Sequence, residues 1–148
     1  MVLTTEVIKQ LRDATGVSVM QCKLALEEAE GDLAKAEAIL RERSGAVAAK
    51  KAGRTQGAGA VGSYVHEGAI GAMVLLTSET DFVARNPEFV TLARDIAMQV
   101  AAMDPENVEK LLAQPFIKDE GKTIQELLSA ASQKFGERLE IGRFARLP

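Results

Sequence analysis

The stretch Thr80-Asp81-Phe82-Val83-Ala84-Arg85-Asn86 follows directly on the most apolar run of the chain, Ala69 to Leu76. Its residue types suit contact between molecules better than the making of bonds. Thr80 is a good N-cap, so Asp81 falls in the first turn of a helix, where the macrodipole favours a carboxylate. Phe82 has two readings. In one, the segment is a capped helix with a buried phenylalanine, which its composition alone favours because Phe is usually buried. In the other, Asp81 and Phe82 protrude as an acid and aromatic pair that enters a partner.

The other reactive residues form no complete site. His66 is the only histidine and Cys22 the only cysteine. With no second histidine or cysteine, a shared metal has no ligand set, and none is expected. Glu67 could orient His66 as a base, yet no nucleophile accompanies it, so an interface or surface histidine is the better reading. Cys22 sits in a helical pattern and reads as a small core residue. Glu79 and Asp81, two residues apart at a strand end, read as capping and solvated carboxylates. Gly57-Ala58-Gly59-Ala60-Val61-Gly62 matches G-x-G-x-x-G, but that fingerprint must follow a strand and open a helix. Here a helical pattern precedes it and a strand pattern follows. Gly121-Lys122-Thr123 fails as a P-loop because Phe116 stands where the upstream glycine is required. The chain therefore reads as a protein without bond chemistry and without a cofactor.

The elements that must position these residues divide into three parts. Residues 1–45 read as a head of three short helices. The first stops at Gly16; the second opens with a Ser18 and Gln21 capping box flanked by Val17 and Cys22 and carries Leu24, Leu26 and Ala29; the third runs from an Asp32 cap to Ser44-Gly45. So small a bundle buries little surface and needs a neighbour. Val19 and Met20, in the first turn of the second helix, either close the bundle or are offered to another protein. Residues 46–56 read as a helical connector. Its Lys50, Lys51 and Arg54 could touch phosphate but are more simply a solvated face.

Residues 57–148 read as an α+β core. Val61–His66 and Ile70–Ser78 are strands joined across Glu67-Gly68. The second is apolar on both faces, with Ile70, Ala72, Val74 and Leu76 on one and Met73 and Leu75 on the other. It therefore needs two covers: a local helix and, as a candidate, a second copy of the chain. Asn86 caps a helix from Pro87 to Met103 whose stripe is Val90, Ala93, Ile96, Ala97 and Val100. A short helix starts at Asp104-Pro105 and ends at Gln114-Pro115. Thr123 and Glu126 form a capping box for a helix ending at Gly136, and a last strand carries Leu139, Ile141 and Ala145. The expected fold is a three-helix bundle followed by a small antiparallel three-stranded sheet packed with helices.

Bulk properties agree with a soluble globular protein. Of the 148 residues 47% are apolar and 26% charged, and the net charge of -3 makes no demand for nucleic acid or an anionic membrane. The start Met1-Val2-Leu3-Thr4-Thr5-Glu6 lacks the regions of a signal peptide, and no run is long enough to span a membrane. A cytoplasmic location is expected.

Leu11-Arg12, Thr15-Gly16, Met20, Cys22-Lys23 and Ala25-Leu26 of the head, the connector Ala48 to Ala52, Glu79 to Asn86, and Gln114-Pro115-Phe116 together resemble the translation elongation factor Ts family. The resemblance runs through nearly the whole chain in order. It implies a guanine-nucleotide exchange factor for elongation factor Tu, with a ubiquitin-associated-like head and an α+β dimerisation core. By position, Asp81 and Phe82 would enter the partner near its magnesium and phosphate site, flanked by Thr80 and Val83. Arg12, Val19 and Met20 of the head would touch the same domain. Val19 departs from the Met-Met pair often found there. Long members insert a segment before Gln-Pro-Phe and carry a second core; here only Asp104 to Ala113 intervenes. The short members pair two chains through their sheets, which implies a symmetric homodimer. The alternative is a ribosome- or RNA-associated protein using Lys50, Lys51 and Arg54; direct nucleic-acid contact is otherwise not expected.

Overall fold

The computed structural model describes residues 3–51 and 55–148. In chain order the elements are α1 (Thr5–Thr15), α2 (Val19–Glu28), α3 (Leu33–Lys51), β1 (Ala58–His66), β2 (Ile70–Ser78), α4 (Asp81–Ala84), α5 (Pro87–Met103), α6 (Val108–Ala113), β3 (Pro115–Phe116), β4 (Asp119–Thr123), α7 (Ile124–Phe135) and β5 (Glu140–Leu147). The class is α+β, as the sequence indicates.

The head is built by short-range signals. Thr4 caps α1 by accepting from the Val7 N–H at 3.4 Å, and Gly16 ends it in the left-handed region at φ 71°. Ser18 caps α2 by accepting from the Gln21 N–H. The expected second half of that capping box is diverted, because Gln21 Oε1 accepts from Gln133 Nε2 of α7 at 2.9 Å. Leu11, Cys22, Leu26 and Leu40 are fully or almost fully buried at the centre of the bundle.

The third helix does not stop at Ser44-Gly45. It continues through both residues to Lys51, so head and connector share one helix. A mid-helix glycine costs about 1 kcal/mol relative to alanine. Here packing on α7 offsets that cost. Ser44 is buried, and its hydroxyl lies within bonding reach of the Leu40 carbonyl and of the Gln133 side chain. Arg41 pairs with Glu126 of α7 at 3.5 Å. The side chains of Lys50 and Lys51, and all of Arg54, lie outside the described residues.

In the core, the sheet order is β1-β2-β5, antiparallel throughout. The β1–β2 turn is a hairpin with Glu67 at φ 51° and Gly68 at φ 69°, closed by the Ala69 N–H to the His66 carbonyl at 2.9 Å. Positive φ at both central residues is the type I′ geometry that matches strand twist. A bulge in β5 opposite Leu75 and Leu76 leaves Gly142 as the extra residue. Helix α5 lies on one face of the sheet. Gly62 makes that approach possible: a Cβ there would stand 2.2 Å from the carbonyl carbon of Ala93. The last glycine of the G-x-G-x-x-G match thus serves helix-on-sheet packing.

Two expectations shift. The buried stripe of α5 begins at Phe89, which is fully buried and stacked edge-on against Phe135, while Val90 is half-exposed. A periodicity argument fixes the stripe's direction only to within a residue, and the bulkier aromatic takes the core. The short helix after α5 starts at Val108 with an Asn107 cap, because Asp104 is used to end α5 in the left-handed region at φ 45°. The small hairpin of β3 and β4 adds two strands beyond the three expected. Buried Gln99 holds its start, bonding the Gln114 side chain, the Pro115 carbonyl and the Ile117 N–H.

Candidate partner-binding site

Strand β2 delivers the chain to the surface at Ser78, whose buried hydroxyl donates to the Thr80 carbonyl at 3.0 Å. Thr80 leaves the strand with extended backbone (φ -126°, ψ 156°) and caps α4, its Oγ1 accepting from the Val83 N–H at 3.5 Å. Six residues later Asn86 caps α5, with Pro87 in the first turn. Two caps in such close succession force a sharp corner, and the side chains between them divide. Val83 and Ala84 turn into the core. Asp81 and Phe82 turn out, and Phe82 is 91% exposed.

That exposure excludes the buried-phenylalanine reading. Burying a phenylalanine is worth about 1.5–3 kcal/mol, and the fold forgoes this at Phe82. Val83, expected among the partner-contacting residues, is instead buried and anchors the turn from below.

The turn is also held from the side. Glu137, in the loop between α7 and β5, accepts from the N–H groups of Glu79 at 3.1 Å and Thr80 at 2.9 Å, and from the Thr80 hydroxyl at 2.6 Å. In return, Glu79 Oε2 accepts from the Arg138 N–H at 2.8 Å. Glu79 and Asp81 therefore do not act as a pair: one faces the 137–138 loop and the other faces solvent. No local signal in the sequence joins residue 137 to residue 80.

On the head, Val19 and Met20 are exposed at 52% and 67%, and Arg12 is exposed in the last turn of α1. Leu24, one turn beyond Met20, is also half-exposed, whereas Cys22, Ala25 and Leu26 fill the bundle. Helix α2 is thus apolar on two sides. The i, i+4 relation of Met20 and Leu24 was the available signal for the outer one.

A third surface is the open face of the sheet. Val61 and Val65 of β1 and Met73 of β2 project there with Leu147 of β5, all well exposed. The register sets Val61 beside Leu75, Val65 beside Gly71, and Met73 beside Ala145. The patch is therefore continuous across three strands.

The residues considered for bond chemistry remain dispersed. His66 lies at the hairpin end and is exposed; its Nδ1 is 3.0 Å from the Tyr64 hydroxyl, and the two rings stack. Cys22 is buried beneath Val17 and Thr15. Among the described residues no three His, Cys, Asp or Glu side chains are grouped to hold a metal ion. No described helix is long and apolar enough to cross a membrane.

Comparison with known proteins gives a consistent picture. The family model described as "Elongation factor TS" matches residues 79–148, from the start of the exposed turn to the end of β5. Among curated relatives, an elongation factor Ts from Chromobacterium violaceum is 48% identical over 144 residues, covering 97% of this chain and 49% of that protein. One from Acetivibrio thermocellus is 40% identical over 190 residues, covering 97% of this chain and 88% of that protein. One from Thermodesulfovibrio yellowstonii is 37% identical, with 99% and 96% covered. The chain spans about half the length of the first relative and most of the other two. Both alignments of 190 residues exceed the 148 of this chain, so those relatives carry residues that it lacks.

Proposed function

This chain belongs to the elongation factor Ts family of translation elongation factors, and from that premise we propose that it is a guanine-nucleotide exchange factor for elongation factor Tu. The observation that carries the reading is the presentation of Asp81 and Phe82. An acid and a fully formed aromatic wedge stand out of a doubly capped corner whose other side is sunk in the core.

Exchange of this kind is differential binding. A factor that binds the nucleotide-free partner more tightly than the GDP-bound one must, by linkage, weaken GDP to the same degree. Loosening GDP ten-thousandfold takes about 5.5 kcal/mol of such difference. Phe82 supplies about 1.5–3 kcal/mol when it passes from water into an apolar site. The remainder comes from contacts formed only once the nucleotide site has rearranged. Asp81 would fix the wedge by accepting hydrogen bonds, or unsettle the magnesium environment. Arg12, Val19, Met20 and Leu24 on the head would add apolar and charged contact to the same domain.

The homodimer belongs to this reading as well. The open sheet face of Val61, Val65, Met73 and Leu147 supports face-to-face packing of two copies about a two-fold axis, each with its own exchange turn. The direct test is the release of fluorescent GDP from elongation factor Tu with and without this chain. Acceleration that saturates with the chain's concentration is expected; unaltered release would remove the exchange reading.

A further inference from the structure

The exchange turn has little internal means of keeping its shape. Helix α4 has four residues, far too few to persist through its own hydrogen bonds. Its capping bond, from the Val83 N–H to Thr80 Oγ1, is long at 3.5 Å. Val83 and Ala84 anchor one side, but no burial restrains Phe82. What orders the outer side comes from 57 residues further along the chain.

We propose that Glu137 is a positioning residue for exchange: its carboxylate holds the corner that presents Asp81 and Phe82 in the docking conformation before elongation factor Tu arrives. This rests on the exchange reading above. One carboxylate takes three hydrogen bonds, from two consecutive backbone N–H groups and the Thr80 hydroxyl. Bonds to an ionised acceptor are the stronger kind. Because the Thr80 proton points at Glu137, the lone pairs of that same oxygen are left for the Val83 N–H, which sets the cap's rotamer.

The clamp is itself fixed. The Glu137 carbonyl accepts from Ser132 Oγ of α7 at 2.6 Å, and the Arg138 N–H donates back to Glu79. The turn is thereby joined to α7, the helix on which the head also docks. A wedge ordered in advance spares the complex the cost of ordering it during binding.

The test uses full-length Glu137→Ala and Glu137→Gln, each alone and with Phe82→Ala. Two readouts are taken: the second-order rate of stimulated GDP release, and hydrogen exchange at the amides of Glu79, Thr80 and Val83. Glu137→Ala is expected to slow release about tenfold, a shift of about 1.4 kcal/mol, and to speed exchange at those three amides while leaving Val74 and Ile96 protected. Glu137→Gln keeps an acceptor oxygen for the two N–H groups and should recover most of the rate. Added to Phe82→Ala, Glu137→Ala should change the rate by less than about twofold, because no wedge remains to be positioned. Full additivity of the two substitutions, unchanged amide exchange, or an unchanged rate in Glu137→Ala overturns the proposal. Failure of the exchange reading itself shows separately, as GDP release from elongation factor Tu that the wild-type chain leaves unaltered.

Discussion

Replacing Phe82 by alanine separates contact from folding more cleanly than any other change in this protein. The side chain is 91% exposed, so its removal takes almost no apolar area out of the folded core. Stability should stay within about 0.5 kcal/mol of wild type, as for surface substitutions generally. On the proposed exchange reading, the partner complex loses the whole transfer term. At about 1.5–3 kcal/mol for a buried phenylalanine, and 1.4 kcal/mol for each factor of ten, stimulated GDP release should slow roughly ten- to a hundredfold. Two measurements on one preparation decide the matter: stopped-flow release of fluorescent GDP from elongation factor Tu, and a thermal melt. A collapsed melting transition would mean that Phe82 holds up the fold, contrary to its exposure. An intact melt with an undiminished rate would mean that the wedge carries no part of exchange.

Other perturbations address the scaffold. Gly62→Ala forces a methyl group against the α5 backbone at Ala93; overpacking of this kind costs about 1–3 kcal/mol, to be seen as a lower denaturant midpoint. Met73→Asp places a charge at the centre of the open sheet face, where Met73 is 55% exposed. On the proposed homodimer, light scattering should report a dimer for the wild type and a monomer for this variant with an unchanged circular dichroism spectrum; a wild-type monomer would remove the dimer, and a variant dimer would move the interface elsewhere. Thr123→Ala removes one half of the capping box with Glu126 and should destabilise the chain by about 1 kcal/mol in chemical denaturation.

The legible parts of this fold were those set by neighbours a few residues apart. Gly16 and Gly136 both end helices in the left-handed region, and Thr80, Asn86 and Thr123 all cap as their types suggest. Strand β2 follows its apolar run from Ile70 to Ser78 without correction. The errors share a cause. Gly45 predicts a stop because the helix propensity of glycine is poor, and the packing of α3 on α7 overrides it. Periodicity places Val90 inward because its hydrophobicity fits the stripe as well as that of Phe89. Only the Ser18 half of the expected box with Gln21 forms, since Gln133 competes for the Gln21 side chain. In each case a contact with a distant element outweighed a local preference of about 1 kcal/mol or less.

The candidate site divides along the same line. The sequence by itself determined that residues 79–86 form a capped corner after a buried strand, that an acid and an aromatic lie within it, and that no cluster of reactive groups competes with it for attention. Those are properties of residue type and spacing, carried by bonds spanning three or four positions. Only the tertiary structure decided that Phe82 faces water while Val83 faces the core, because that depends on how α4 is rotated between β2 and α5. It alone brought Glu137 to the cap and matched Gly62 of β1 to the backbone of α5. These pairings join residues tens of positions apart, and nothing in either residue's local chemistry names the other.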